Sequence, residues 1–363
     1  MTDDPRRAAA VAHAPSPHLV HWQPPDPRFR LIDVPTPLEH LPRFSAALGE
    51  LARAAGQAGG PEVWVKREDL MPVGLGGNKT RGLEFLVGAA LAEGADTLVT
   101  AGWRWSNHCR LAAAAAARAA LAAHLVYAGP PHATPGPGQL MSELLGATIH
   151  FTEAPGRAAL EAVLERVAAD LGAGGRRPYL IAPGGAAMPG AIGQALAGIE
   201  LADQLAERGL RPDLLAVATA TGGTHAGVLV GLRIAGLSTR VAGFAVSGPA
   251  APLRATVESL ARELAGRSGL AAARARRGEP LDWAAEVNVD ESQLGAGYGH
   301  RSAAADQAAA LLARTEGILA DPIFTARALA GLVALAREGR LAGRTALFWY
   351  GGGATGLFET LEG

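Results

Sequence analysis

The sequence predicts an α/β protein built on mainly parallel β-sheets that are flanked by helices. Short β-rich runs alternate with longer alanine- and leucine-rich segments that have helical spacing. A strand followed by a helix, repeated along the chain, is typical of parallel sheets with helices on both faces. The 363 residues allow two domains or one large one. The predicted strands are the runs VWVKRE, DTLVTAG, HLVYAG, TIHF, PYLIAPG, LLAVATA, VAGFAV and TALFWYGG.

Composition restricts the partners of the chain. A hydrophobic content of 49% supports a sizeable core, and a formal net charge of -1 gives no reason to expect nucleic acid or an anionic membrane. The single cysteine, Cys109, excludes an internal disulfide and a cysteine-only metal site, and we expect no metal. The start, MTDDPRR, has no apolar run, so we expect a cytoplasmic protein. The first ~30 residues are proline-rich and predict an arm or an irregular strap.

Lysine is rare in this chain, which uses it only at Lys66 and Lys79 although lysine and arginine together number 33. Arginine stays protonated, whereas a lysine can lose its proton and act as a nucleophilic amine. A lysine in a glycine-rich run therefore suggests covalent chemistry. Lys66 is expected to end a buried strand, with its charge paired to Glu68 or Asp69.

The first glycine-rich turn, GLGGNKTR, places Lys79 at the start of a predicted amphipathic helix. The field of the helix N-terminus and partial burial both lower the pKa of a lysine. A phosphate-loop motif is excluded, because Asn78 stands between the last glycine and the lysine. The alternative is a solvated lysine at a helix end.

The second turn, TAGWRWSNHCR, follows a strand and begins a helix. Ser106, Asn107 and His108 offer a hydroxyl, an amide and an imidazole above the strand end. The alternative is an ordinary helix cap, which Ser and Asn form very often. Trp103 and Trp105 belong either to the core or to the wall of a pocket.

The third turn, ATATGGTHAG, supplies backbone amides, hydroxyls and a helix N-terminus, which together suit a small dianion such as phosphate. It does not match the dinucleotide fingerprint, and a βα turn without a ligand is the alternative. Its polar and glycine residues are Thr219, Thr221, Gly222, Gly223 and Thr224.

The fourth turn, FWYGGGATGLF, contains Gly351, Gly352 and Gly353, which let backbone approach a flat ligand, unless the turn is simply flexible. A reactive lysine, a phosphate cradle and glycines beside a flat ligand together suggest pyridoxal phosphate. Its aldehyde takes the lysine, and its ring accepts the electrons of a carbanion.

Six motifs also occur in a familiar order: VKREDL, GGNKTR, SNHCR, TGGTHAG, GAGYG and RTEGILADPIFT. By these motifs the chain resembles the D-cysteine desulfhydrase and 1-aminocyclopropane-1-carboxylate deaminase family, within the tryptophan-synthase-β-like, fold type II pyridoxal-phosphate enzymes. The resemblance implies a larger cofactor domain of residues 1–78 and 187–363 and a smaller domain of residues 79–186. It also implies a homodimer that acts on a small amino acid, with neither nucleic acid nor membrane as partner.

The resemblance implies roles for individual residues. Lys79 would be the Schiff-base lysine, Asn107 would hydrogen-bond the ring hydroxyl, and Thr325 would face the pyridine nitrogen. The catalytic residues would be Lys79, Ser106 and Tyr298, with Ser106 contacting the substrate carboxylate or shuttling a proton. The cofactor would contact Lys79, Asn107, Ala220, Thr221, Gly222, Gly223, Thr224 and Thr325. The substrate would contact Ser106, Trp105, His108, Tyr298 and Tyr350.

The chain departs from the family pattern in several places. Gly82 replaces a lysine that usually helps to hold the phosphate, so the cradle would use neutral donors, with help from Arg81, and a lysine restored at position 82 would tighten cofactor binding. Phe324 replaces a tyrosine, and Trp105 replaces the glutamine before the SN pair. Arg104, if directed inward, would favour a substrate with a second anionic group. The residues that would bind the cofactor therefore largely follow the family pattern, whereas those that would contact the substrate differ from it.

Thr325 and His108 look more like the desulfhydrase branch, since the deaminase branch has an acidic residue and a glutamine there. Opening a cyclopropane ring removes no α-proton and needs an extra acid–base pair, and Phe324 and Thr325 supply neither a phenol nor a carboxylate. We therefore expect a D-cysteine desulfhydrase-like α,β-elimination that gives a keto acid and ammonia, and poor cyclopropane deamination. The alternatives are a deaminase, a racemase, a substitution enzyme or a non-catalytic relative that binds the cofactor.

Overall fold

A computed structural model describes residues 22–359 of the chain. Residues 1–21, which hold most of the predicted proline-rich arm, lie outside that range. From residue 22 to residue 37 the chain forms an irregular strap. The strap is held by Glu84, whose carboxylate accepts the N–H groups of Leu31 and Ile32 at 2.8 and 3.0 Å.

Strands and helices alternate along the described chain. The strands are β1 Leu38–His40, β2 Glu62–Arg67, β3 Thr97–Gly102, β4 Ala122–Tyr127, β5 Thr148–Phe151, β6 Pro178–Ile181, β7 Leu214–Thr219, β8 Arg240–Ala245, β9 Asn288–Asp290 and β10 Thr345–Tyr350. The helices are α1 Pro42–Ala54, α2 Lys79–Ala92, α3 Asn107–Arg118, α4 Pro137–Leu144, α5 Arg157–Ala173, α6 Met188–Glu207, α7 Gly223–Ile234, α8 Ala250–Arg267, α9 Leu270–Arg276, α10 Trp283–Glu286, α11 Ala303–Glu316 and α12 Thr325–Arg337.

The strands form two sheets. The six-stranded sheet has the order β1-β2-β10-β7-β8-β9, and the four-stranded sheet has the order β5-β4-β3-β6. Every pairing is parallel except that of β1 with β2. The predicted α/β class with mainly parallel sheets and flanking helices is therefore confirmed.

All eight predicted strands are present, and β1 and β9 are additional. Each of these two has three residues and forms an outer edge of the six-stranded sheet. Edge strands are buried less than central ones and need no continuous apolar run. By contrast, all six residues of the inner strand β3 are buried.

The two sheets draw on different parts of the chain. The four-stranded sheet uses strands from residues 97–181. The strands of the six-stranded sheet either end by residue 67 or begin at residue 214 or later. The domain bounds of 78/79 and 186/187 stay a prediction.

Within residues 22–359, no helix combines the length and the apolar character that crossing a membrane requires.

Helices α2 and α6 touch backbone to backbone. A Cβ added at Gly193 of α6 would lie 1.9 Å from the carbonyl oxygen of Arg81 in α2. A Cβ added at Gly82 would lie 3.0 Å from the carbonyl oxygen of Gly190. These glycines allow the start of α2 to sit directly against α6, so the position of Lys79 depends on that contact.

A buried ionic network joins β2, α2 and α6 beside this contact. Lys66 Nζ lies 2.6 Å from Glu200 Oε1, and Arg81 lies 2.6 Å from the other oxygen of Glu200. Arg81 also pairs with Glu68 at 2.9 Å. Burial alone would raise the pKa of Glu200, but Arg81 and Lys66 lower it to about 2. The Glu200 carboxylate therefore stays ionised at neutral pH, where it binds both Lys66 and Arg81.

Two expectations from the sequence are wrong here. Lys66 was expected to pair with Glu68 or Asp69, but Arg81 takes Glu68 and Arg67 takes Asp69 at 2.7 Å. Arg81 was expected to help hold a phosphate, but its guanidinium is engaged by buried carboxylates. The guanidinium is therefore held in the buried network with Glu68, Glu200 and Thr36 and not at the third glycine-rich turn.

We predict that Glu200→Gln lowers the free energy of unfolding by about 3–5 kcal/mol, because it leaves Lys66 buried without its carboxylate partner. The matched control is Glu50→Gln, which breaks an exposed pair with Arg53 and should cost about 0–1 kcal/mol. Urea unfolding followed by circular dichroism measures both. Equal losses in the two variants would contradict the assigned importance of the buried network.

Candidate active site

A cavity of about 560 Å³ opens at the carboxyl ends of strands from both sheets. Such strand ends are where α/β proteins bind ligands. Ala101 and Gly102 reach it from β3, and Val217 and Thr219 reach it from β7. Most of the predicted site residues line it, namely Lys79, Ser106, Asn107, His108, Ala220, Thr221, Gly222, Thr224, Tyr298 and Thr325.

Lys79 is the first residue of α2 and is half-buried at the wall of this cavity. Burial lowers the pKa of its amine to about 8. No hydrogen bond among residues 22–359 holds the amine, so it is free to react. A fraction on the order of a tenth is then neutral at pH 7, far more than for an ordinary lysine.

Asn78, directly before the lysine, ties three glycine-rich turns together. Its side-chain amide donates to Thr224 Oγ1 at 2.8 Å, and its backbone N–H donates to the carbonyl of Gly351 at 2.9 Å. Gln194 of α6 donates to its carbonyl at 2.6 Å. The sequence analysis used Asn78 only to exclude a phosphate loop and missed this role.

The third turn leads from β7 into α7 and forms a cradle of donors. Helix α7 begins at Gly223, and Gly222 before it has a left-handed φ of 87°. The first amides of a helix have no partner within it, and they favour an anion. Thr221 Oγ1 is buried without a hydrogen-bond partner in the described structure. Gly223 itself lines a small adjoining cavity together with Lys79 and Thr224.

Ser106 and Asn107 meet the cavity at the start of α3. Ser106 caps the helix, because its Oγ accepts the N–H of Cys109 at 3.3 Å. Ser106 is therefore a helix cap, and its side chain also lines the cavity, as the two alternatives from the sequence proposed. Arg110 donates to Asn107 Oδ1 at 3.2 Å, which leaves the amide nitrogen of Asn107 as the donor available to a ligand.

His108 is neutral and its tautomer is fixed. Thr100 donates its single hydroxyl proton to the carbonyl of Ile181 at 2.9 Å, so His108 Nε2 must donate to Thr100 at 2.9 Å. His108 Nδ1 is then a bare acceptor, buried without a partner in the described part of the chain. Burial and the charge of Lys79 lower the pKa of His108 to about 3.

Tyr298 lies in an aromatic cluster at the cavity. Its ring centroid is 5.0 Å from that of Trp103, 5.8 Å from that of Trp105 and 5.9 Å from that of Phe324. Trp103 and Phe324 line the cavity, whereas Trp105 packs behind Tyr298 and does not. Burial raises the pKa of Tyr298, so its phenol stays protonated at neutral pH.

Tyr350 does not line the cavity. The structure therefore does not support the predicted contact between Tyr350 and the substrate. The Tyr350 hydroxyl donates to the carbonyl of Leu319 on the other side of the sheet. Arg104 also lies outside the lining, with its guanidinium 5.8 Å from the ring of Trp105.

Arg157 lines the cavity, whereas Arg104 does not. Arg157 begins α5 and pairs with Glu161 at 2.8 Å. No motif surrounds it in the sequence, and only the packing of α5 beside β3 brings it to the cavity.

Gly351 and Gly352 of the fourth turn line the cavity, and the glycines of this turn also allow close packing. A Cβ at Gly352 would lie 2.8 Å from Gly77 Cα, and a Cβ at Gly353 would lie 2.5 Å from the amide nitrogen of Asn107. Gly352 and Gly353 have φ of 84° and 105°, which favour glycine. The turn is therefore a fixed part of the site and not simply flexible.

These groups fit pyridoxal phosphate. The unpartnered Thr221 hydroxyl and the first amides of α7 suit a phosphate, and the Lys79 amine suits an aldehyde. Asn107 offers an amide donor for a ring oxygen. The fold and the site together define an enzyme of the fold type II, pyridoxal-phosphate-dependent class.

Comparison with known proteins gives the same class. Residues 30–351 match the model of the pyridoxal-phosphate dependent enzyme family, and the chain belongs to it. D-cysteine desulfhydrases of Salmonella choleraesuis (strain SC-B67) and Salmonella paratyphi C (strain RKS4594) are each 37% identical over 339 residues, covering 92% of this chain and 95% of theirs. The predicted family, cofactor and enzyme class are confirmed.

Solved structures share the fold. A crystal structure of an ACC deaminase homologue superposes with a TM-score of 0.78 at 32% identity, covering 92% of this chain and 94% of that one. An L-serine ammonia-lyase from Rhizomucor miehei has a TM-score of 0.61 at 16% identity, covering 91% and 95% of the two chains. The second likeness concerns the fold alone.

We predict that borohydride reduction of the loaded protein attaches the cofactor to Lys79. Capture of pyridoxal phosphate by the apoprotein should become faster as pH rises, with a midpoint near the Lys79 pKa of about 8, because only the neutral amine reacts. Peptide mapping locates the label, and Lys79→Arg, which keeps the charge, is the matched control. A label on Lys66 would show that the wrong lysine has been assigned.

We predict that Gly82→Lys does not tighten cofactor binding, in contrast to the expectation from sequence. Its Cβ would lie 3.0 Å from the carbonyl oxygen and 3.1 Å from the Cα of Gly190, so α2 would have to move away from α6 to accept a side chain. Gly82→Ala, which adds the Cβ alone, is the matched control. Both variants should lower Tm and cofactor retention on dialysis, and tighter retention in the lysine variant alone would show that the cradle lacks a charge it can accept.

Proposed function

We propose that this protein is a pyridoxal-phosphate-dependent lyase that removes a β-substituent from a small amino acid such as D-cysteine, giving a keto acid and ammonia. The observation that carries the proposal is the Lys79 amine, with a pKa lowered to about 8, in a cavity that also holds the α7 cradle. The names of the D-cysteine desulfhydrase relatives support the choice of reaction.

Each residue has a task that its environment permits. Bound pyridoxal phosphate supplies an electron sink for a carbanion at the substrate α-carbon. Lys79 accepts the α-proton, since a pKa of about 8 suits a base near neutral pH. The first amides of α7 and Thr221 would hold the phosphate, and Asn107 would donate to the ring oxygen. Ser106 orients the substrate carboxylate through its hydroxyl proton.

Tyr298 holds its proton on the phenol because burial raises its pKa. A protonated phenol can donate to a leaving group at the β-carbon, but it is a poor base. A hydrogen bond from this phenol would stabilise the negative charge that develops on the departing sulfur, without transfer of the phenol proton. The aromatic cluster around Tyr298 also excludes water from the reacting atoms.

Racemisation is less well supported than elimination. A two-base racemase needs a second group that exchanges a proton near neutral pH on the face opposite the lysine. Of the other titratable cavity groups, His108 has a pKa of about 3 and His225 a pKa of about 4, both lowered by burial, and Tyr298 has a raised pKa. None of these three suits that task.

We predict that D-cysteine or β-chloroalanine is turned over to pyruvate at least 10²-fold faster than 1-aminocyclopropane-1-carboxylate, because loss of a positioned acid or base costs about 10²–10⁴-fold and Phe324 supplies no phenol. Keto-acid release under identical conditions measures the panel, which includes L-cysteine, cysteate and both serine isomers. Lys79→Arg should abolish turnover of every member.

Two outcomes of this panel would contradict the proposal. Fastest turnover of the cyclopropane substrate would show that the interpretation of Phe324 is wrong. Bound cofactor without turnover of any member, together with interconversion of enantiomers, would identify a racemase.

We also propose a homodimer in the cytoplasm. Two leucines of α4, Leu140 and Leu144, are 52% and 88% exposed, and Phe358 of the neighbouring C-terminal turn is 74% exposed. The lone Cys109 is buried and free, which requires no oxidising compartment. Light scattering coupled to size-exclusion chromatography measures the mass in solution, which should be twice that of the 37.0 kDa chain.

A further inference from the structure

A second, small cavity adjoins the large one beside the reactive lysine. Lys79, His108, Gly184 and Thr224 line both cavities. The volume of the small cavity is about 10 Å³, which is about the least space that one water molecule needs. The small cavity can therefore hold a single small molecule next to Lys79, but not an amino acid.

Two hydrogen-bond acceptors on the wall of this cavity have no donor within the described part of the chain. They are His108 Nδ1 and Gln194 Oε1, and the two residues are only 2% and 3% exposed. Gly185 lines the same cavity, and a Cβ added there would lie 3.4 Å from His108 Nδ1. Buried acceptors are rarely left without a donor, and ordered water commonly supplies one. These two atoms therefore require a molecule that donates two hydrogen bonds.

Neighbouring residues fix the orientation of both acceptors. Gln194 donates through its amide nitrogen to the carbonyl of Asn78 at 2.6 Å, so the oxygen of its side chain is the atom that remains. His108 donates through Nε2 to Thr100, so Nδ1 carries no proton. An ionised phosphate oxygen only accepts hydrogen bonds and cannot satisfy either atom. The chemistry of this wall therefore excludes such an anion.

Two donors also line the small cavity. Thr224 Oγ1 accepts a hydrogen bond from Asn78 at 2.8 Å, and its own proton has no acceptor within residues 22–359. The Lys79 amine has no partner in that range either, and its charge helps to lower the pKa of His108, which places the two groups close together. A molecule with two protons and two lone pairs matches two acceptors and two donors, and water has that set.

We propose that one buried water molecule occupies this small cavity and holds Lys79, with His108 and Gln194 as the positioning residues that bind the water. The water donates to His108 Nδ1 and to Gln194 Oε1. It accepts the proton of the Thr224 hydroxyl and one N–H of Lys79. This inference deepens the proposed function, which assigns the α-proton of the substrate to Lys79.

The water would serve the lysine when the lysine holds that proton. Accepting the α-proton converts the Lys79 amine to an ammonium, and burial disfavours this charge. A water whose protons point at two acceptors turns its lone pairs toward the ammonium and stabilises it. The two positioning residues therefore act on Lys79 through the water and without touching the substrate through it.

Other charges near Lys79 do not take over this task. Burial lowers the pKa of His108 to about 3 and that of His225 to about 4, so both are neutral, and Tyr298 keeps its proton because burial raises its pKa. Arg157 is the other charged side chain that lines either cavity within residues 22–359. The buried ionic network of β2, α2 and α6 is paired internally.

The direct test is a crystal structure of the whole protein with pyridoxal phosphate bound, at a resolution that shows ordered water. We expect one isolated density peak in the small cavity, about 2.7–3.2 Å from both His108 Nδ1 and Gln194 Oε1. A phosphate oxygen of the cofactor at that position, or no density there, would overturn the proposal.

The role of the water is tested by the pH dependence of cofactor capture on Lys79. His108→Phe and Gln194→Met each remove one acceptor. The ammonium then loses stabilisation, the pKa of Lys79 falls, and the midpoint of capture by the apoprotein should move to lower pH by about one unit. His108→Gln retains an acceptor oxygen and should restore the wild-type midpoint.

The matched control is Gln204→Met, the same replacement on the same helix beside the other lysine. Gln204 Oε1 accepts from Lys66 Nζ at 2.7 Å, so its loss should leave the midpoint of capture on Lys79 unchanged. An equal shift in Gln194→Met and Gln204→Met would reveal a general disturbance of α6 and overturn the role of the water. If Gln194→Met does not fold, His108→Phe and His108→Gln provide the test.

These outcomes separate the inference from the proposed function. Wild-type protein that captures no cofactor on Lys79 would overturn the proposed function. Capture on Lys79 with the same midpoint in the wild type, His108→Phe and Gln194→Met would overturn the role of the water and leave the proposed function standing.

Discussion

The hydrogen bonds of Asn78 are the constraint on which the site depends. Through its side chain and backbone this one residue contacts Thr224 of the cradle, Gly351 of the last glycine-rich turn and Gln194 of α6. Lys79 follows it directly, so the reactive amine is placed relative to three other segments at once. The contacts extend over more than 270 residues of sequence, from Asn78 to Gly351, and fix the geometry that catalysis requires.

Burial gives the two lysines of the chain opposite tasks. It lowers the pKa of both, but Lys66 is held by Glu200 and by the carbonyl of Thr36, whereas Lys79 has no such partner among the described residues. A paired ammonium contributes to structure and resists reaction, because removing its proton would leave a buried carboxylate uncompensated. An unpaired one loses its proton easily and can serve as a nucleophile or base.

The proposed phosphate cradle contains only neutral groups for a related reason. Arg81 lies near this region in sequence, yet the network with Glu68 and Glu200 uses its donors. Gly82 has no side chain, and this allows α2 to contact α6 at Gly190. The close helix contact therefore means that the proposed phosphate cradle consists of the N-terminus of α7 and of hydroxyl groups.

Sequence alone determined the alternation of strands and helices, because buried parallel strands are continuous apolar runs and glycine-rich turns follow their ends. It also placed Lys79 and the α7 cradle, since both are local features of a helix start. Tertiary structure decided which neighbouring side chains face the cavity. Trp349 lines it and Tyr350 does not, because successive residues of β10 point to opposite faces of the sheet. Packing between distant segments also determines the edge strands β1 and β9 and the position of Arg157 at the cavity. No local sequence pattern predicts such packing.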